Sequence, residues 1–343
     1  MPQVVTFGEI MMRLTTPRFE RFLQASSFDI TYGGAEANVA VNLANLGVQA
    51  RFVTFLPDNP LGDATLRYLR SFGVDTSHIQ QTDGRLGKYF VEKGAVQRPS
   101  NVLYDRARSC IAEARPGSVD WEAVFEGVDW FHWTGITPAI SGSAAALCDE
   151  AVKAASEQGV TISCDLNFRS KLWEWGKPAG EVMPELVKYV DVAIGNEEDA
   201  DKVFGIRAPK SNVEAGELDA EGYRYVADKM MERFPNLNKV AITLRGSLSA
   251  SHNTWSAVLY NGDDFLQGPS FDITPIVDRV GGGDSFGAGL IYCLLHGKDD
   301  RDALDFAVAS SCLKHTMHGD ANLVSVEEVE DLLERGGGGR VRR

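Results

Sequence analysis

From residue 128 onward, short apolar runs alternate with amphipathic stretches at the spacing of chain crossovers, and few architectures accept that rhythm. Residues 130–133 read as a strand, about 143–158 as a helix, 160–164 as a strand, about 180–188 as a helix and 190–194 as a strand. Parallel neighbours need a helical crossover between them, so this order predicts βαβ units in a mainly parallel sheet. The first half carries the same punctuation: a strand at 4–7, a helix at 37–46 ending at Gly47, a strand at 50–55 and a helix at 61–72 ending at Gly73. Helices near 197–204 and 221–234 lead to a strand at 239–243. Segments 256–260 and 264–267, joined by Asn261-Gly262-Asp263, read as a hairpin. Two excursions break the rhythm. Segments 13–32 and 87–106 are extended and rich in aromatic residues and arginine, and we read them as a small β lid that closes over a site and excludes water. Ser325-Val326-Glu327-Glu328 is a capping box opening a last helix to about 334, and 336–343, glycines followed by arginines, reads as a flexible tail.

Composition narrows the partners. Lys plus Arg number 34 against 48 Asp plus Glu, a formal net charge of -14, which argues against nucleic acid and anionic membranes. An anionic small substrate would need positive charge built locally into a site, so individual arginines carry weight. No run approaches the roughly 18 apolar residues of a membrane span, and the chain begins with a strand-like segment rather than a leader, so a cytoplasmic protein is expected. Cys110, Cys148, Cys164, Cys293 and Cys312 are scattered singly without metal-ligand spacing and read as reduced and structural. His315 and His318 could share a helix face, but no third ligand is near them in sequence.

The chemistry collects at two glycine-rich helix starts. In Asp278-Arg279-Val280-Gly281-Gly282-Gly283-Asp284, followed by Ser285-Phe286-Gly287-Ala288-Gly289, the glycines let backbone N–H groups approach an anion at the positive end of a helix running from Asp284 to about His296. A phosphate suits that cradle. Asp284 is either the helix cap or a base that deprotonates an attacking hydroxyl. The second start is Tyr32-Gly33-Gly34-Ala35-Glu36-Ala37-Asn38, where Asn38 is placed to bind a hydroxyl, while Asn42 and Asn45 further along read as a solvated or strand-capping face. In the lid, Tyr89, Tyr104 and Arg106 suit a polar ligand. Cys164-Asp165-Leu166-Asn167-Phe168-Arg169 leaves the C-terminal end of a parallel strand, the edge where open α/β sheets bind ligands. Arg106 and Arg169 could converge on a carboxylate or make ordinary surface ion pairs. Asn196-Glu197-Glu198-Asp199 follows another strand end and could organise Mg²⁺ and its waters around a triphosphate, or compensate a helix dipole.

Together these residues resemble the ribokinase-like (phosphofructokinase B) family of sugar kinases, over about residues 4–333. The family's Gly-Gly-x-x-x-Asn is matched by Gly33 to Asn38, and its Asp-x-x-Gly-x-Gly-Asp by Asp278 to Asp284. The resemblance implies a three-layer α/β/α sandwich with a mainly parallel central sheet and a β-sheet lid, a single kinase domain over 1–335. It implies ATP and Mg²⁺ as cofactors, Asp284 as catalytic base, and the amides of Gly281, Gly282 and Gly283 as the hole for the transferring phosphoryl group. Asn196 and Asp199 would organise Mg²⁺, with Asp199 in place of the usual Glu and acting through water. Thr243, Arg245, Gly246 and Ser247 loosely match the family's nucleotide segment, and Arg279 and Gly282 replace its more common Thr and Ala. Within the family the likeness is greatest to 2-keto-3-deoxygluconate kinases, through Tyr89, Tyr104 with Arg106, and Asp165, Asn167 and Arg169. That implies a sugar-acid substrate phosphorylated at its C6 hydroxyl, its carboxylate held by Arg106 and Arg169. A kinase of an epimeric keto-deoxy acid or of a neutral hexose, or a non-catalytic sugar-acid sensor, remain the alternatives. The partners expected are the sugar acid and ATP, with a homo-oligomer as the assembly.

Overall fold

The protein is described here by a computed structural model covering residues 2–196, 198–208 and 220–336. Glu197 and the tail beyond Gly336 lie outside the described residues. The central sheet runs, edge to edge, β14 (Phe265–Gln267), β13 (His252–Tyr260), β12 (Lys239–Ser249), β11 (Val192–Asn196), β10 (Thr161–Asp165), β9 (Trp130–Thr134), β1 (Gln3–Phe7) and β4 (Gln49–Val53), with β15 (Phe271–Ile273) also pairing β13. From β12 to β4 every pairing is parallel, and β13, β14 and β15 add antiparallel strands at one edge. The βαβ rhythm therefore produces the sheet it predicts. β9 is buried at all five positions, as a strand covered on both faces must be.

Successive strand residues point to opposite faces and fill two separate cores. Phe131, Trp133, Ile162, Cys164, Val240 and Ile242 face one, covered by α3 (Trp121–Phe125), α4 (Ile136–Ile140), α5 (Gly142–Glu157), α6 (Ala179–Val187), α7 (Asp199–Phe204) and α8 (Ala220–Arg233). Val4, Trp130, Val192, Ile194 and Ala241 face the other, covered by α1 (Ala35–Asn45), α2 (Pro60–Ser71), α9 (Gly282–Leu295), α10 (Asp300–Lys314) and α11 (Val326–Arg335). This is the three-layer sandwich. The capping box at Ser325 forms with both of its bonds, and the 261–263 turn joins β13 to β14 as expected.

The two excursions make a separate sheet in the order β3 (Asp29–Gly33), β2 (Met11–Thr15), β7 (Lys88–Glu92), β8 (Asn101–Asp105), while β5 (Phe55–Pro57) and β6 (Gln80–Thr82) pair beside it in sequence. The lid reading is thus correct in its elements. Two details differ from expectation. The strand expected at 239–243 continues to Ser249, because Leu244 to Ser249 pair along β13 across a tight turn. Asn42 is not on a solvated face: it is buried and its Oδ1 accepts from Asn322 N (2.6 Å), whereas Asn45 is exposed as expected and its Nδ2 donates to Val324 O (2.6 Å). They tie α1 to the segment after α10, a contact 280 residues away in sequence that no local pattern reveals.

Candidate active site

Both glycine-rich helix starts, the C-terminal ends of β1, β10 and β11, and the middle of β12 meet at one edge of the central sheet, under the lid, around a cavity of about 540 Å³. On one side stands the cradle. α9 begins at Gly282, with Gly281 as its N-cap, so the amides of Gly282, Gly283 and Asp284 have no carbonyl one turn back to bond. Gly281 is needed twice over: its φ is +85°, and a Cβ there would sit 1.9 Å from the Asp320 carbonyl oxygen. Asp284 is the third helical residue rather than the cap, which removes the capping explanation for it.

The carboxylate of Asp284 accepts a hydrogen bond from Asn38 Nδ2 at 2.6 Å, and Asn38 Oδ1 in turn accepts from Gly34 N at 3.3 Å. One amide side chain therefore locks the two glycine motifs together. The amide expected to hold a substrate hydroxyl lines the cavity and also orients the carboxylate. Burial pushes the Asp284 pKa up to about 6; the Asn38 bond opposes that shift and Asp320 adds to it. A carboxylate with that pKa is ionised at neutral pH yet basic enough to take a proton. The first motif's glycines are explained by space. A Cβ at Gly33 would fall 2.2 Å from Asp320 Oδ2, and one at Gly34 1.8 Å from the Glu9 carbonyl oxygen.

Opposite the cradle, Asp165 at the end of β10 is the nearest side chain to Gly283, its Oδ2 lying 3.9 Å from where a Cβ would be. Burial, with Asp199 and Asp284 nearby, holds its pKa well above the ordinary range. Asn167 turns the chain there with φ +37°, an uncommon conformation for a non-glycine residue and one that concentrates at functional sites. Arg169 lines the cavity with its Nη1 on the Phe168 carbonyl (2.9 Å), and no carboxylate pairs with it among the described residues. Arg106 is different: its Nε and Nη2 both bond Glu9 Oε2, at 2.7 and 2.5 Å, and its guanidinium lies 5.7 Å from the Tyr104 ring centroid. Tyr104 stacks on Tyr89 at 5.9 Å between centroids, and the Tyr89 hydroxyl donates to Asp320.

The nucleotide-side residues divide. Thr243 and Arg245 line the cavity with Arg279, whereas Gly246 and Ser247 lie further along β12, exposed, and do not line it. Asn196, Glu198 and Asp199 also line it. Asp199 is buried, with Oδ1 accepting from Phe168 N (3.1 Å) and Oδ2 from Asn196 N (2.9 Å), so each oxygen retains one free lone pair. That set fits a magnesium ion held mainly through water and phosphate oxygens, and no cluster of three metal-type side chains occurs among the described residues.

Sequence reasoning passed over several residues that the structure brings here. Glu9 follows β1 at the ligand-binding sheet edge, and that position was its available signal. Glu36 sits inside the first glycine motif: its Oε1 accepts from Thr134 N, Thr134 Oγ1 and Thr137 Oγ1, and burial raises its pKa to about 7 despite those bonds. Arg13 of β2 is buried and bonds Asp278 and Asp320, each at 2.5 Å, tying the lid to the glycine cradle. Nothing in the sequence around Arg13 or Asp320 marks that pairing.

Comparison with known proteins fits this geometry. The sequence signature of the pfkB family carbohydrate kinases matches residues 1–327. The chain belongs to that family. This pfkB family carbohydrate kinase is 35% identical to a 2-dehydro-3-deoxygalactonokinase from Haloferax volcanii over 98% of both chains. It is 28% identical to a 2-dehydro-3-deoxygluconokinase from Thermoproteus tenax, covering 97% of this chain and 95% of that one. The crystal structure of a 2-dehydro-3-deoxygluconokinase from Thermotoga maritima superimposes with a TM-score of 0.92 at 47% identity, over 97% of this chain and 100% of the other. The ribokinase-like fold and a sugar kinase activity follow.

Proposed function

We propose that this sugar kinase transfers the γ-phosphoryl group of ATP to the C6 hydroxyl of 2-keto-3-deoxygluconate, giving the 6-phosphate and ADP. The observation that carries the substrate class is Arg169, a cavity-lining guanidinium with no carboxylate partner among the described residues. A neutral hexose would leave that charge without an anion, whereas an aldonate carboxylate supplies a charge-assisted bond. Arg106, fixed by Glu9 and packed on the Tyr104 ring, presents its remaining N–H groups to the same carboxylate.

With the carboxylate held by Arg169 and Arg106, the far end of the substrate is directed at Asp284. Asp284 accepts the hydroxyl proton as the oxygen attacks phosphorus, and Asn38 keeps the carboxylate aimed. The free amides of Gly282 and Gly283 and the positive end of α9 stabilise the charge on the equatorial oxygens. Arg245 and Arg279 flank the polyphosphate, and Thr243 sits at the nucleotide side. Asn196 and Asp199 would hold Mg²⁺ through water; when bound it neutralises phosphate charge. The lid keeps water from competing with the sugar hydroxyl.

The 35% identity to a galactonokinase supports the C4 epimer as a second substrate. ADP release measured with 2-keto-3-deoxygluconate, 2-keto-3-deoxygalactonate and fructose at matched concentrations tests the reading. Turnover of either keto-deoxy acid far above fructose is expected; fructose as the better substrate would overturn the sugar-acid assignment.

A further inference from the structure

Behind the glycine cradle the charges do not balance without one more cation. Buried Arg13 faces two buried carboxylates, Asp278 and Asp320, which leaves that group one negative charge in surplus, and an uncompensated charge away from water is costly. Lys314, the last residue of α10, is 0% exposed, and its Nζ has no hydrogen-bond partner among the described residues. The charges that act on it are those of Asp278 and Asp320, of Asp284 from α9 and of Arg13 from β2, with His315 next to it in the chain. Burial pulls its pKa below that of an ordinary lysine, while the three carboxylates pull it back up. The negative end of the α10 dipole also favours a cation there.

α10 is the element that backs the cradle. Ser311 Oγ donates to Gly282 O at 2.6 Å, the Ser310 and Ser285 hydroxyls meet at 3.2 Å, and a Cβ at Gly282 would lie 2.9 Å from His315 Cε1. A charge at the end of α10 is thus felt directly by the loop that receives the phosphoryl group.

We propose that Lys314 is a built-in counter-cation for phosphoryl transfer: a positioning residue whose ammonium balances Asp278 and Asp320, steadies the cradle from behind and keeps Asp284 ionised. The proposal rests on Asp284 serving as the base. Without Lys314, Asp284 would be faced by Asp320, by Asp165 and Glu36 across the cavity, and by Arg169, with Asn38 as its neutral donor. Arg169 would then be the one cation left among these groups, so the base would hold its proton to higher pH.

Lys314→Met keeps the length of the side chain and deletes the charge. Its kcat should fall by about tenfold or more with the sugar-acid KM little changed, and the acid limb of its pH profile should move up by about half a unit or more. Lys314→Arg should retain the native limb. An active Lys314→Met enzyme with native kcat and an unmoved limb would overturn the proposal. A variant that fails to fold leaves a test on the native protein: ¹⁵N-lysine spectra, assigned by comparison with Lys314→Arg, should show the Lys314 Nζ as an ammonium at about pH 7.5, and a neutral amine there refutes the idea. Failure of the base assignment looks different. Asp284→Asn would then stay active and the native enzyme would lack the limb, while the Lys314 signal would still report its charge.

Discussion

Asp284→Asn gives the sharpest test of the site, because the structure sets both the size and the pH course of the effect. The substitution keeps the side chain's shape and leaves an oxygen for Asn38 Nδ2 at 2.6 Å, so the first turn of α9 should stand. It removes the proton acceptor, and a positioned general base contributes about 10²–10⁴ in rate, so kcat should fall by that range while sugar-acid binding stays near normal. The wild-type enzyme predicts its own control. With Asp284 at about 6, the active carboxylate form amounts to roughly 97% at pH 7.5 and about 9% at pH 5, so kcat/KM for the sugar acid at saturating ATP should drop about tenfold between them. The sign follows from the role: a base works only when deprotonated, so activity is lost as pH falls through the folded-state pKa. ADP measured in quenched samples from pH 5 to 8.5 avoids coupling enzymes with pH limits of their own. An Asp284→Asn enzyme within tenfold of wild type, or a wild-type profile flat between pH 5 and 7.5, would refute the base assignment.

Arg169→Ala should raise KM for the sugar acid at least tenfold and leave KM for ATP nearly unchanged; equal rises in both would count against a carboxylate contact, and initial-rate kinetics with each substrate varied decides it. Gly281→Ala places a methyl 1.9 Å from the Asp320 carbonyl oxygen at φ +85°, so thermal or urea unfolding should show a loss of about 2 kcal/mol or more. Gly283→Ala meets nothing closer than 3.9 Å and should fold normally, its methyl intruding instead on the cavity and raising KM. Glu36 carries a pKa near 7 against an ordinary 4.5. A raised carboxyl contributes stability in full below the unfolded value and loses it as pH climbs through the folded one. Between about pH 4.5 and 7 the wild type should therefore lose about 3 kcal/mol relative to Glu36→Gln, and urea midpoints that move in parallel over that range would exclude it.

The layered fold was legible because it is written in local terms. Alternating apolar runs and amphipathic stretches state which residues can be buried, and the glycines state where the backbone must come close to something. The Asp278–Asp284 and Gly33–Asn38 stretches could be read for the same reason: each is a contiguous segment whose chemistry follows from residue types a few positions apart. The lid too announced itself as a break in the rhythm. Where local reading failed, the partner was distant. Asn42 read as a polar helix face because its acceptor role toward Asn322 lies 280 residues on. For Asn38, nothing local shows that its amide also meets Asp284, 246 residues away.

Local sequence sufficed for the architecture, the two anion-cradling turns and the identity of the carboxylate beside one of them, since backbone freedom, periodicity and residue chemistry act over a few residues. Packing in three dimensions sets how those parts are charged and aimed. The Asp284 pKa, the pairing of Arg106 with Glu9 while Arg169 stays open to the cavity, and the buried company of Arg13, Asp278, Asp320 and Lys314 all depend on which groups share a region shielded from water. Electrostatic energy and desolvation depend on distance in space, and distance along the chain does not report it.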